Sequence, residues 1–88
     1  MINMEIIKSI LSSYSIDEFI FIEEKDFDSI IICSMKDSLP LEKWINLENV
    51  LKEYIEKNIS ILPLCQAKKY LGEKYLAKGV IVKWVTHH

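Results

Sequence analysis

Apolar residues near the start of the chain fall at three- and four-residue spacing: Ile2, Ile6, Ile7, Ile10, Leu11 and Tyr14. That period puts them on one side of a helix and predicts an amphipathic helix over residues 3–13. Asn3 reads as its cap, Glu5 lies near the positive end of its dipole, and Ser12-Ser13 close it. The pattern then changes. Ile16 to Ile22 ends in Phe19-Ile20-Phe21-Ile22, β-branched and aromatic throughout, which predicts a strand covered on both faces. Glu23-Glu24-Lys25 reads as a turn, and Ser29 to Ser34 as a second strand. Only residues 23–28 separate the two apolar runs, fewer than the roughly dozen residues a parallel crossover needs, so the two strands are expected to be antiparallel neighbours.

Asp37-Ser38-Leu39-Pro40 is a helix-start signal that combines possible caps with a proline tolerated in the first turn. Leu41, Trp44, Leu47, Leu51, Tyr54 and Ile55 mark one face of a helix reaching about Lys57, with Glu48–Lys52 and Glu53–Lys57 as surface pairs. Ile59 to Leu62 is a third strand closed by Pro63. A full helix connects it to the second strand, which predicts a parallel, right-handed crossover. Leu64 to Lys78 is helical in pattern through Ala67, Tyr70, Leu71 and Tyr75, with Gly72 a weak point and Gly79 a left-handed stop. Val80 to Val85 is the last strand. The expected fold is one small α/β (α+β) domain over residues 1–88: a mixed four-stranded sheet with helices packed on it, in the order α-β-β-α-β-α-β.

Composition narrows the function. Half of the 88 residues are hydrophobic and 27% are charged, the profile of a packed globule. No apolar run approaches the roughly 20 residues that span a bilayer, and the N-terminus lacks the basic region of a signal peptide, so cytoplasm is the expected location. Cys33 and Cys65 are too few for a disulfide framework and are expected to be free and buried. His87 and His88 stand at the extreme end, resemble the start of a tag, and enter no functional argument. All eleven basic residues are lysine. Residues 1–44 carry four Lys against nine acids, net −5, and residues 45–88 seven Lys against four acids, net +3. A nucleic-acid binder needs a dense basic face, and a total of −2 argues against one. An acidic face that docks a basic protein partner fits better.

The only glycines are Gly72 and Gly79, which excludes a phosphate loop and a dinucleotide fingerprint. Without an internal His, Ser-His and Cys-His triads and histidine metal sites are excluded as well. What survives is the pair Asp26 and Asp28. On an extended chain, residues two apart point to one side, so these carboxylates would be placed to hold one Mg²⁺. The plain alternative is two solvated acids at a strand entrance.

Asp26-Phe27-Asp28-Ser29-Ile30-Ile31-Ile32, a long helix, Asn58-Ile59-Ser60-Ile61-Leu62, another helix and Ala77-Lys78-Gly79-Val80-Ile81-Val82 together resemble the minimal nucleotidyltransferase family. The resemblance covers most of the chain in order and spacing, through short motifs. It implies a nucleotidyltransferase-like fold with Asp26 and Asp28 as the metal-binding acids. The departures are informative. The family's Gly-Ser turn, which opens a helix whose amides hold the triphosphate, is missing between Ile22 and Asp26. Ser60 stands where the family's third acid is expected. The resemblance therefore implies a shortened, degenerate member that keeps the fold without the catalytic parts.

Three readings follow. The first is a non-catalytic interaction domain, an antitoxin of the kind that accompanies HEPN-type toxins or a small regulator. Its contact surface would be the acidic rim of Glu18, Glu23, Glu24, Asp26 and Asp28, with Trp84 or Trp44 as an aromatic anchor unless these tryptophans are core residues. The second is a metal-dependent transferase using Asp26 and Asp28. The third is an inhibitor or self-associating protein, with the last strand as a dimer edge and a ferredoxin-like arrangement as the rival fold.

Overall fold

A computed structural model describes residues 3–84. Helix α1 spans Met4–Ser12, strand β1 Glu18–Glu24 and strand β2 Ser29–Ser34. Helix α2 spans Leu41–Tyr54, strand β3 Asn58–Pro63, helices α3 and α4 Leu64–Leu71 and Glu73–Leu76, and strand β4 Val80–Lys83. The sheet order is β3-β2-β1-β4; β1 runs antiparallel to both neighbours, and β2 and β3 are parallel. The expected mixed four-stranded sheet and element order are both present. The β-α-β-β-α-β order of the ferredoxin-like rival is not.

Alternation along the strands divides the core in two. Phe19, Ile30, Ile32, Ile59 and Ile61 project to one face, where Ile7 and Leu11 of α1 and Leu47 and Leu51 of α2 cover them. Ile20, Ile22 and Cys33 project to the other, against Ala67 of α3 and Leu76 of α4. Burial on both faces is why β1 and β2 read as unbroken apolar runs. The Asn3 Oδ1 accepts from the Glu5 and Ile6 amides at 3.0 and 3.4 Å, so the expected cap of α1 is in place.

Several boundaries differ, each for a local reason. Pairing with β2 carries β1 through Glu23 and Glu24, opposite Ile30 and Ser29, so the turn shifts to residues 25–28. Pro40 takes the cap position of α2 with no side-chain cap bond, and neither Asp37 nor Ser38 fills it. That helix stops at Tyr54 because Ile55 turns extended and is buried against the core. Leu41 and Tyr54, expected on its inner face, are 74% and 62% exposed. Glu48–Lys52 forms at 3.6 Å, but Lys57 turns away from Glu53 toward β1. Cys33 is buried as expected, whereas Cys65 is exposed.

Gly72 is the weak point expected of it, and Gly79 is not the expected left-handed stop. Gly72, at φ 82° and ψ 158°, occupies a conformation essentially reserved for glycine and divides the expected single helix into α3 and α4. Gly79 does not have a positive φ. A side chain there would strike Ile20 Cγ2 and would come within 2.8 Å of Ile22 Cγ1, so closeness of packing, not a left-handed turn, requires glycine. Strand β4 ends at Lys83; Val85 lies outside the described residues, as do His87 and His88.

Candidate functional site

The acidic stretch forms the tip of the β1–β2 hairpin. Lys25–Phe27 make one turn of 3-10 helix, and Asp28 closes it in the left-handed region at φ 49°, which a short acidic side chain tolerates. Residues from two distant parts of the sequence hold this tip. The Lys57 ammonium, just before β3, lies 3.2 Å from Glu23 Oε2 and 3.3 Å from Asp28 Oδ1. The adjacent Asn58 amide donates to the Asp28 carbonyl at 3.3 Å. On the other face of the sheet, the Tyr75 hydroxyl donates to Glu24 Oε1. Neighbouring glutamates on β1 point to opposite faces, so one clamp comes from each side.

The charges respond to these contacts. Hydrogen bonds to Glu23 and then Asp28 raise the Lys57 pKa above the usual lysine value. The Glu24 hydrogen bond, followed by burial, pushes the Tyr75 phenol up to about 12. Burial raises the Cys33 thiol, which keeps it protonated and unsuited to nucleophilic work.

The Tyr75 shift has a measurable sign. Because the folded phenol holds its proton more tightly than the unfolded one, its contribution to stability is complete below about pH 10 and is lost as pH rises toward about 12. An absorbance titration is expected to show one of the four tyrosines ionising late, with Tyr75→Phe deleting that component. A Tyr75→Phe titration curve that keeps the late component would contradict the assignment.

The sequence-derived acids do not form one rim. Glu23, Glu24, Asp26 and Asp28 gather at the tip, but Glu18 begins β1 at the other end, opposite Lys83 and roughly 17 Å away by strand rise. Nor are Asp26 and Asp28 on an extended chain. Both lie in the turn, so strand alternation no longer places their side chains, and the Asp28 carboxylate faces Lys57. Ser60, at the expected third-acid position, pairs with Ile31 and is exposed. Among the described residues, no three His, Cys, Asp or Glu side chains converge to hold a metal ion. The extended chain expected to set the two-carboxylate Mg²⁺ clamp is therefore absent at Asp26 and Asp28.

The tryptophans are not free anchors. Trp84 is half-buried, edge-on to Phe19 at 5.7 Å, and its indole N–H donates to Ser12 Oγ at 2.9 Å. Trp44 packs half-buried on the main core. At the tip the projecting aromatic is Phe27, 74% exposed between Asp26 and Asp28 at the apex of the turn; Tyr54 and Tyr70 are exposed elsewhere, on α2 and α3. Sequence reasoning missed it, along with Lys57 and Tyr75. For Phe27 a signal was present: a lone aromatic between two aspartates, outside either apolar run. Lys57 and Tyr75 left no local signal, because only the sheet topology brings them to the hairpin.

A separate groove of about 210 Å³ runs between α2 and the end of β3, lined by Leu41, Trp44, Ile45 and Pro63. No helix among the described residues is long and apolar enough to cross a membrane. Comparisons with protein families, with curated proteins and with solved structures each find no match.

Proposed function

We propose that the chain is a non-catalytic interaction domain that binds another protein through the β1–β2 tip, with Phe27 as the anchor and Asp26 meeting basic residues at the rim of the partner's pocket. The resemblance to minimal nucleotidyltransferases points to an antitoxin-like or small regulatory role on a degenerate scaffold. The observation that carries the reading is an aromatic ring exposed on a turn that is fixed from both faces, by Lys57 and by Tyr75. Aromatic side chains buried at the centre of a complex can supply much of the interface energy, and a turn ordered beforehand loses less entropy on binding. The same clamps weigh against nucleotide transfer, since Asp28 is already engaged by an ammonium and the hairpin tip holds a single 3-10 turn in place of an α-helix that could cradle phosphates.

The test is capture of a partner by the purified chain from its native host or from co-expression with the adjacent reading frame. Phe27→Ala is expected to weaken the recovered complex by about 30-fold, the effect of a central aromatic anchor. Its melting temperature should stay unchanged, because the ring packs on nothing that folding requires. Magnesium-dependent binding of ATP that disappears in Asp28→Asn would replace this reading with the enzymatic one.

A further inference from the structure

We propose that the chain forms a closed, two-fold dimer by antiparallel pairing of β4 with β4 of a second copy, giving one continuous eight-stranded sheet. The inference is independent of the tip, which lies on the β1–β2 connection. It rests on the unequal state of the two sheet edges.

At the β3 edge, the Asn58 amide faces β2, so by alternation Ile59, Ile61 and Pro63 turn their backbones outward. This edge is blunted. The Ile61 amide donates to Glu48 Oε1 of α2 at 3.4 Å, and Pro63 has no amide hydrogen to offer. At the β4 edge, the Trp84 amide donates to the Asp17 carbonyl, so Val80 and Val82 face β1 while Ile81 and Lys83 direct their N–H and C=O groups outward. Nothing among the described residues bonds to them. Val80 and Ile81 are each 63% exposed, an apolar pair at the free edge.

One open edge and one blunted edge dictate the symmetry. Pairing of β4 with β3 of another copy would propagate into a filament, and Glu48 and Pro63 oppose it. Pairing of β4 with itself uses the open edge twice and stops. Charge selects the register. Lys83 on the two-fold axis would set two ammoniums face to face, which is unfavourable. With Ile81 on the axis, Ile81 meets the partner copy's Ile81, Val80 meets the partner copy's Val82, and Lys83 falls opposite the partner copy's Gly79. That register covers both exposed apolar side chains.

The backbone parity supplies a selective test. Ile81→Pro deletes an outward N–H without removing a bond to β1, which proline tolerates at an edge. Light scattering and sedimentation of the full chain across micromolar concentrations are expected to show a dimer, with Ile81→Pro raising its dissociation constant about tenfold or more. Ile81→Asp, which sets two carboxylates on the axis, should do the same if the proline variant folds poorly. Glu48→Ala, which frees the Ile61 amide, should add species larger than the dimer. A wild-type chain that stays monomeric, or a dimer of equal affinity in both Ile81 variants, overturns the proposal; a monodisperse Glu48→Ala dimer overturns the role given to that carboxylate.

Discussion

Phe19→Ala is expected to destabilise the fold by about 3–5 kcal/mol, a large share of the roughly 5–15 kcal/mol that holds a native domain together. Phe19 is fully buried on β1, between Ser34 of β2 and Val82 of β4. Its ring lies beneath α1 and meets the Trp84 indole edge-on, with centroids 5.7 Å apart and planes at 75°. Truncation therefore leaves a cavity at the centre of the larger core and also removes the support of Trp84, whose hydrogen bond to Ser12 ties the end of β4 to the end of α1. Urea unfolding followed by tryptophan fluorescence measures the effect. Phe19→Leu, which refills most of the volume, should recover the greater part of the loss. A cost below about 1 kcal/mol for the alanine variant would place the ring outside a close-packed core.

Gly79→Ala is the second large effect, at about 1–3 kcal/mol of overpacking. The added methyl would run into Ile20 and Ile22, which are buried between the sheet and α4, and would come within 3.2 Å of the Phe21 carbonyl oxygen. A flexible neighbour could swing away, but that carbonyl belongs to the central strand, so β4 must shift. A melting temperature lower by about 4–8 °C per kcal/mol is expected for a domain of this size, together with faster amide exchange in β4. Gly72→Ala offers a contrast. No atom lies within 4 Å of the new methyl there, so any loss comes from the backbone conformation at φ 82° alone. Equal exchange protection of β4 in the Gly79→Ala and wild-type proteins would contradict the packing account.

The sequence carried the fold in its periodicities and lost detail wherever tertiary contacts decide. Ile7, Leu11, Leu47 and Leu51 could be assigned to inner helix faces because helical spacing is local, and Ser29–Ser34 emerged with correct bounds because charged residues precede it. The antiparallel hairpin followed from chain length alone. In contrast, Glu23 and Glu24 look like turn residues, and only their places in the ladder opposite Ile30 and Ser29 make them strand. The pair Asp26 and Asp28 was legible as a cluster but not as geometry, since an i, i+2 argument presumes an extended chain and the four-residue connection is a tight turn. Lys57 gave a helical pairing with Glu53 in the sequence; the end of α2 at Tyr54 takes it off the helix, and two carboxylates across the sheet claim it.

The strand that runs against all the others also fixes an order of events during synthesis. Strand β1 leaves the ribosome early, and β2 follows at once to cover one flank, a contact of low sequence separation that forms quickly. The other flank waits for β4, whose Val82 must return across most of the chain to lie beside Phe19. A nascent chain that has not yet emitted Val80–Lys83 therefore carries an unsealed central strand, and slow translation of the last segment is where premature aggregation would begin.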